Sequence, residues 1–192
     1  MPDKVRAGRN RTLTVSGAEI PSLEKGILSA DDIRESFVDN SIINADLFDC
    51  IDYIPDGHFS LIIADPPYNL GKVFNGRKFL SMSSGSYEEY LRSWYGKVCD
   101  KLAPGGTLYM CGDWRCASSM QRVIGERLAI INRITWQREK GRGATSNWKN
   151  AMEDIWFAVK NPRDYYFDVE AVKMRRRVCL LYTSPSPRDA TL

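Results

Sequence analysis

The sequence predicts an α/β domain, a three-layer sandwich with a mostly parallel sheet. Short apolar runs typical of buried strands alternate along the chain with segments whose apolar residues recur at helical spacing. Turns rich in proline, glycine and aspartate separate these segments. Because strands that alternate with helices favour right-handed crossovers between parallel neighbours, the pattern indicates a sheet that is covered by helices.

The first 40 residues are predicted to form an N-terminal arm followed by a short helix. Residues 1–22 are polar, basic and without a clear period, as expected of an arm. Ser29 is a typical N-cap residue, and Ile33 and Phe37 form a weak apolar stripe after it. Residues 41–178 are predicted to hold the remaining elements of the domain.

The later elements follow from the apolar period and from turn residues. Helices are expected at 47–54, 87–102 and 115–128, and strands at 41–44, 59–64, 107–111, 130–136 and 154–159. The aromatic residues at helical spacing between Tyr87 and Trp94 are expected to pack in the core. Pro104-Gly105-Gly106 is expected to end the long helix before the next strand. Residues 65–86 and 138–150 are predicted to be loops.

Composition narrows the setting in which the protein works. A net charge of +3 permits an anionic partner without requiring one. No stretch approaches the roughly 20 apolar residues of a membrane span, and the basic N-terminus lacks the apolar segment of a secretory signal. Five scattered cysteines, an odd number, favour a reducing cytoplasm. Cys111, Cys116 and His58 lack the spacing of zinc ligands, so no metal site is predicted.

Asp65-Pro66-Pro67-Tyr68 is the most informative segment of the chain. It follows the apolar run 61–64, and the prolines require the chain to leave the sheet there. In an open α/β sheet, ligands bind outside the carboxyl ends of the strands, so these residues are expected at an active-site rim. A plain strand-ending turn is the alternative interpretation of the motif by itself.

The chemistry of this motif suits methylation of a base amino group. The exocyclic nitrogen of adenine or cytosine is a poor nucleophile, because its lone pair is delocalised into the ring. Hydrogen bonds from its N–H groups to the Asp65 carboxylate and the Pro66 carbonyl would localise that lone pair and stabilise the charge that develops. Tyr68 would supply a stacking face for a base that has left the duplex.

The segment Asp65-Pro66-Pro67-Tyr68-Asn69 resembles the catalytic motif of DNA amino-methyltransferases that use S-adenosyl-L-methionine. The downstream stretch 136–157, with Gly141-Arg142-Gly143 and Asn147-Trp148-Lys149-Asn150, resembles the β group of adenine-N6 enzymes. The resemblance runs from about residue 42 to residue 172. It implies a Rossmann-like methyltransferase fold, double-stranded DNA as the partner and a bacterial or phage enzyme that modifies a flipped adenine.

The resemblance also implies roles for individual residues. Asp65, Pro66, Pro67 and Tyr68 are the expected catalytic residues. Asp46, Leu47 and Asp65 are expected at the cofactor, although Asp46 also suits a helix N-cap and Leu47 a core position. The basic, tryptophan-flanked loop 138–149 is expected to contact DNA, and a solvated surface loop is the alternative. The expected DNA contacts are Asn69, Arg138, Lys140, Arg142, Trp148 and Lys149.

One part of the family pattern is missing. The glycine-rich C-terminal segment that forms the floor of the cofactor site is absent, and Gly105-Gly106 does not open a helix after a strand. Residues 179–192 are proline-rich and resemble the translation of a transposase mosaic-end sequencing adapter, with a disordered tail as the alternative. We therefore expect an incomplete fold, a gene truncated near Val178 and a fragment without activity.

Three other functions remain possible from the residues alone. A cytosine-N4 DNA methyltransferase shares the chemistry, but its motif more often begins with serine than with an aspartate such as Asp65. Methyltransferases that act on RNA or on protein glutamine carry similar motifs, but they are not expected to carry the segment 141–150. A non-catalytic nucleic-acid-binding module would have no need of a carboxylate at position 65.

Overall fold

A four-stranded sheet with two helices packed on one face forms the centre of the protein. The structure, a computed structural model, describes residues 14–173 except 75, 143, 144, 147 and 149, and it describes only the main chain of residues 74, 77 and 139–142. The elements in chain order are α1 (Ile20–Glu24), β1 (Ile27–Leu28), α2 (Ala30–Glu35), β2 (Ile42–Ile43), α3 (Leu47–Cys50), β3 (Phe59–Ala64), β4 (Lys72–Phe74), β5 (Arg77–Phe79), α4 (Ser84–Asp100), β6 (Leu102–Gly112), α5 (Ala117–Gly125), β7 (Ala129–Arg142), β8 (Asn150–Val159) and α6 (Val169–Val172). Short 3-10 turns follow α3 and precede α5.

The central sheet has the strand order β3-β6-β8-β7. β3 and β6 are parallel, and β8 pairs antiparallel with both β6 and β7, so three of the four strands run in one direction. The reversed direction of β8 follows from the short 143–149 connection, because parallel strands need a crossover of a dozen or more residues. The predicted α/β class is therefore confirmed, with one reversed strand in a mostly parallel sheet.

Helices α4 and α5 build the hydrophobic core against one face of this sheet. Their buried aromatic and aliphatic side chains pack on Leu108 and Met110 of β6 and on Ala158 of β8. Tyr87 and Tyr95 are among the largest fully buried side chains, which confirms that the aromatic spacing in this helix reflects packing. Within the described ranges, no helix combines the length and the apolar character that crossing a membrane requires.

The N-terminal elements form a separate small layer. Helix α2 begins as predicted, because the Ser29 side chain accepts from the Asp32 main-chain N–H while the Asp32 carboxylate accepts from the Ser29 N–H at 2.7 Å. The strand predicted at 41–44 is short, and it pairs in parallel with β1. The first part of the predicted arm, residues 1–13, lies outside the described residues.

Three segments differ from the prediction. The predicted loop 65–86 contains the β4–β5 hairpin, whose turn holds Gly76 at φ +80°, a left-handed conformation that glycine adopts without strain. The strand β6 begins at Leu102, before the prolyl-glycyl segment, and its register with β3 shifts between Phe59 and Leu61. The strand β7 continues to Arg142, because β8 supplies a pairing partner for residues that were predicted to be a loop.

Candidate active site

A cleft of about 1050 Å³ lies where β2 and β3 end. Two chain segments, 44–49 and 62–67, form much of its lining. It opens beside the edge of β3 that has no strand partner within the described residues. Helix α4 and the β4–β5 hairpin complete the lining with Lys78, Phe79, Tyr90, Trp94 and Val98. The structure thus brings Asp46, Leu47, Asp65, Pro66 and Pro67 to one cavity, although 19 positions separate the first from the third.

Asp65 stands at the point where β3 leaves the sheet. Ala64 forms the last recorded pair with β6, opposite Met110, and Pro66 then prevents further ladder bonding. The Asp65 side chain is exposed to the cleft and interacts with the hydroxyl of Tyr68. Burial, together with the hydrogen bond and the charge of Asp65, raises the pKa of Tyr68 well above its ordinary value. Tyr68 therefore stays a neutral phenol at any physiological pH.

The second proline of the motif is held from two sides. The Pro67 carbonyl accepts from the Tyr87 hydroxyl at 2.9 Å and from the Asn69 main-chain N–H at 3.2 Å. Tyr87 is fully buried in α4, so its hydroxyl ties the motif to the core. The Pro66 carbonyl, by contrast, has no hydrogen-bond partner among residues 14–173 as far as the structure describes them. One carbonyl is thus fixed, and its neighbour remains able to accept a ligand N–H.

Asn69 closes the loop that follows the motif. Its amide N–H₂ donates to the Met82 carbonyl, and its amide oxygen accepts from the Met82 N–H, both at 2.8 Å. This paired contact joins the two ends of the segment that carries the β4–β5 hairpin. Asn69 was predicted to contact DNA, but its side chain is engaged within the protein. A DNA contact through this amide would require both hydrogen bonds to break.

Asp46 and Leu47 both line the cleft, in different ways. Asp46 is the N-cap of α3, and its carboxylate accepts from the Phe48 N–H at 3.1 Å. The N-cap role that the sequence allowed is therefore present. Leu47 is 37% exposed, so the alternative of a core position is wrong. An apolar side chain beside a carboxylate on a cleft wall can hold a ligand that has both apolar and polar parts.

The basic segment 138–149 is arranged differently from the predicted loop. Arg138 lies on β7 and forms an ion pair with Glu153 of β8, and both side chains are largely buried. Lys140 and Arg142 also lie on β7, but their side chains lie outside the described part of the structure, as does Lys149 as a whole. Trp148 is 96% exposed and Trp136 is 56% exposed. Of the predicted DNA contacts, Trp148 is therefore clearly presented to solvent, whereas Arg138 is bound to a carboxylate.

Sequence reasoning missed the hairpin and α4 residues of the cleft. Tyr90 and Trp94 were assigned to the core by their helical spacing, yet both also line the cavity. The Trp94 indole N–H is buried and has no hydrogen-bond partner within the described residues. Lys78 and Phe79 were missed because the hairpin was not predicted. The Asn75-Gly76 pair, a strong signal of a two-residue hairpin turn, could have indicated it.

The sequence also matches a known protein family. The DNA methylase family, N6_N4_Mtase, has a model that matches residues 59–178. The chain belongs to this family. The match includes the 65–68 motif and all four strands of the central sheet. Among the residues that the structure describes, no group of three or more potential metal ligands is present.

Individual relatives agree with the family match. The type II methyltransferase M1.MboII of Moraxella bovis is 30% identical over 140 residues, which are 70% of this chain and 51% of that protein. The DNA adenine methyltransferase YhdJ of Escherichia coli (strain K12) is 27% identical over 137 residues, which are 69% of this chain and 45% of that protein. The solved PvuII DNA methyltransferase (cytosine-N4-specific) is 16% identical, with a TM-score of 0.49 over 63% of this chain and 49% of that one. The chain spans about half the length of the curated relatives that it matches.

Proposed function

We propose that this chain is the target-base part of a DNA methyltransferase that modifies the N6 amino group of adenine, with S-adenosyl-L-methionine as the methyl donor. The observation that carries the proposal is the pair of acceptors at the end of β3. The Asp65 carboxylate is exposed to the cleft, and the adjacent Pro66 carbonyl lacks a partner within the described residues. Membership in the DNA methylase family supports the same reaction.

These two acceptors match the two N–H bonds of an exocyclic amino group. When both N–H groups donate, the nitrogen lone pair is less delocalised into the ring and turns toward the electrophile. The positive charge that develops on nitrogen is then next to the Asp65 carboxylate, where it is stabilised as it forms. The donor sulfonium supplies an electrophilic methyl group. The amino nitrogen would take the methyl group as the sulfur–carbon bond breaks, the donor would leave as a neutral thioether, and the nitrogen would then lose one proton to water.

The fixed Pro67 carbonyl supports this assignment of roles. Since Tyr87 and Asn69 both bind it, the short motif cannot rotate without losing two hydrogen bonds. The direction of the Pro66 carbonyl is thereby restricted before substrate arrives. Such restriction matters because a positioning error of about 1 Å can cost roughly a hundredfold in rate.

The cleft has properties suited to the cofactor. Its volume of about 1050 Å³ lies slightly above the roughly 300–1,000 Å³ found for small-molecule sites. Asp46 and Leu47 would hold the cofactor through their polar and apolar side chains. The glycine-rich segment expected from the family pattern would complete this site, and we propose that the complete reading frame contains it.

Tyr68 is placed to receive a base that has left the duplex. Its ring is half-buried beside Asp65, so a base that donates to Asp65 would lie near the ring face. Stacking of a base on an aromatic side chain is worth about 1–3 kcal/mol, which offsets part of the cost of unstacking it from DNA. Exposed Trp148 would contact the DNA outside the cleft.

The choice of adenine over cytosine rests on Asp65 and on the segment 141–150. An aspartate at the first position of the motif favours an adenine-N6 enzyme, and the relative YhdJ is named as an adenine methyltransferase. Methylation of cytosine N4 is the second candidate, because the same two acceptors would serve its amino group equally well. RNA or protein glutamine as the substrate, or a binding module without catalysis, are further alternatives.

Identification of the methylated nucleoside tests the proposal. Unmethylated DNA is incubated with labelled S-adenosyl-L-methionine and either the 192-residue chain or the product of the complete reading frame, and is then hydrolysed to nucleosides. We expect label in N6-methyldeoxyadenosine with the complete product. Label in N4-methyldeoxycytidine would assign the second candidate, and label only in added RNA or in protein would refute the DNA assignment.

Substitution of Asp65 tests the role of the carboxylate in the same assay. Asp65→Ala should abolish methylation while it leaves DNA binding nearly intact, because this carboxylate acts on the amino group and not on the phosphates. Asp46→Ala, a substitution in the other lining segment of the cleft, should mainly raise the KM for the cofactor. Methylation by Asp65→Ala at a rate comparable to the unmodified protein would show that the assigned role is wrong.

A further inference from the structure

The β4–β5 hairpin is basic in a part of the chain that holds no acidic residue. Between Asp65 and Glu88 the sequence contains Lys72, Arg77 and Lys78 and neither aspartate nor glutamate. The hairpin follows the catalytic motif directly and overhangs the cleft through Lys78 and Phe79. Lys78 therefore adds positive charge to the lining of the cleft that also contains Asp65.

Most other arginines and lysines that the structure describes form ion pairs with carboxylates. Five arginines and lysines on or next to α4 and α5 each contact a carboxylate, namely Arg92, Lys97, Lys101, Arg122 and Arg127, whereas Arg115 lies over the Trp114 ring. Lys72 and Lys78 have no ion pair with any residue that the structure describes. The two hairpin lysines thus differ from the cations of the helical face, whose charges are neutralised within the protein.

The two lysines lie on opposite faces of the hairpin. In the register, Lys72 is opposite Phe79 and Val73 is opposite Lys78, so Lys72 shares a face with Phe79, and Lys78 shares the other face with Val73. Phe79 packs edge-on against Tyr90 of α4 at 5.2 Å, which turns the first face toward the protein. Val73, 64% exposed, and the exposed Lys78 lie on the face that is turned to solvent.

The hairpin is held in this orientation from its base. The Asn69 amide bonds to both main-chain groups of Met82, so the two ends of the segment 69–82 are clamped together. The Phe79–Tyr90 contact fixes its inner face. A lysine on such an anchored element loses less conformational freedom on binding an anion than one on a loop.

We propose that Lys78 binds a backbone phosphate of the DNA strand that carries the target base, next to the nucleotide that enters the cleft. The inference rests on the proposed function, because it takes DNA as the partner. A base that reaches Asp65 brings its own flanking phosphates to the mouth of the cleft, where Lys78 lies. Val73, on the same face, contacts the adjacent sugar. Lys72 serves no phosphate, because its face is turned toward α4.

The salt dependence of DNA binding tests this assignment. The dissociation constant of the product of the complete reading frame is measured by fluorescence anisotropy at several NaCl concentrations, with a labelled duplex that carries adenine opposite an abasic site. A plot of the logarithm of the association constant against log[salt] has a negative slope, and loss of one phosphate contact makes that slope shallower by about 0.9. Lys78→Gln should show this decrease. Between about 50 and 200 mM salt it corresponds to a roughly 3.5-fold smaller loss of affinity.

Lys72→Gln is the matched control, since it removes the same charge from the same hairpin on the other face. We expect its slope to equal that of the unmodified chain. An unchanged slope for Lys78→Gln, or a decrease for Lys72→Gln alone, would overturn the assignment and leave the proposed function intact. Weaker binding of S-adenosyl-L-methionine by Lys78→Gln with an unchanged DNA slope would also overturn it. Absence of DNA binding by the unmodified product of the complete reading frame would contradict the DNA substrate itself.

Discussion

Replacement of Tyr87 by phenylalanine tests how the 65–68 motif is tied to the core. The Tyr87 hydroxyl donates to the Pro67 carbonyl at 2.9 Å, and the side chain is fully buried in α4. The variant keeps the ring and its packing and removes only this hydroxyl. Any change in the 65–68 motif then follows from the lost hydrogen bond, since the volume of the core is nearly unchanged.

The magnitude follows from what the Pro67 carbonyl retains. A hydrogen bond between neutral groups contributes about 0.5–1.5 kcal/mol, and a buried group that is left without any partner costs about 1–3 kcal/mol. The carbonyl still accepts from the Asn69 N–H at 3.2 Å, so it is not left unpaired. We therefore expect Tyr87→Phe to lower the free energy of unfolding by about 1 kcal/mol.

Tyr95→Phe is a control on the same helix. The Tyr95 hydroxyl donates to the Ile124 carbonyl at 2.8 Å, and this side chain is equally buried but belongs to the α4–α5 contact. Urea unfolding of the 192-residue chain should give similar losses for the two variants. Methylation by the complete enzyme should fall several-fold only for Tyr87→Phe, because only this hydroxyl restrains the motif. Equal methylation rates for the two variants would refute the positioning role of Tyr87.

Three further predictions concern stability. Gly106→Ala should destabilise the chain by about 1–3 kcal/mol in urea unfolding, because the new Cβ would lie 2.9 Å from the Ala103 carbonyl oxygen and 3.0 Å from that of Phe59. Gly125→Ala is the control: its new Cβ would have no atom within 4 Å, so this variant should not be destabilised. Asn69→Asp, which keeps the acceptor for the Met82 N–H and loses the donor to its carbonyl, should increase proteolysis within 69–82, and an unchanged cleavage pattern would argue against the clamp. The hydrogen bond from Arg122 lowers the pKa of Glu88. This pair therefore stabilises the fold above about pH 4.5, and its contribution is lost as the pH falls through the lowered pKa. The difference in the free energy of unfolding between the unmodified chain and Glu88→Gln should shrink on acidification, and a constant difference would contradict the linkage.

Arg138 and Asn69 show why part of the candidate site could not be predicted from the sequence. The Arg138 side chain was expected to contact DNA because basic residues cluster around it, but Glu153, 15 positions later, lies across the β7–β8 ladder and pairs with it. Likewise, Asn69 is engaged by Met82 through a contact that depends on the closure of the intervening loop. Both partners are set by strand pairing or loop closure, which local composition does not encode.

The sequence by itself determined the order of the main elements, and it is also the source of the chemistry proposed for the 65–68 motif. Apolar period and proline placement predicted β3, its end at Asp65 and the long helix α4, because these features follow from side-chain burial and main-chain geometry within a few residues. Tertiary structure alone decided that Pro67 is held and Pro66 is left to accept, that Leu47 lines the cleft, and that Lys78 is exposed while Lys72 is partly buried. Each of these depends on contacts between residues that are far apart in the sequence, and those contacts form only when the sheet, α4 and the hairpin pack together.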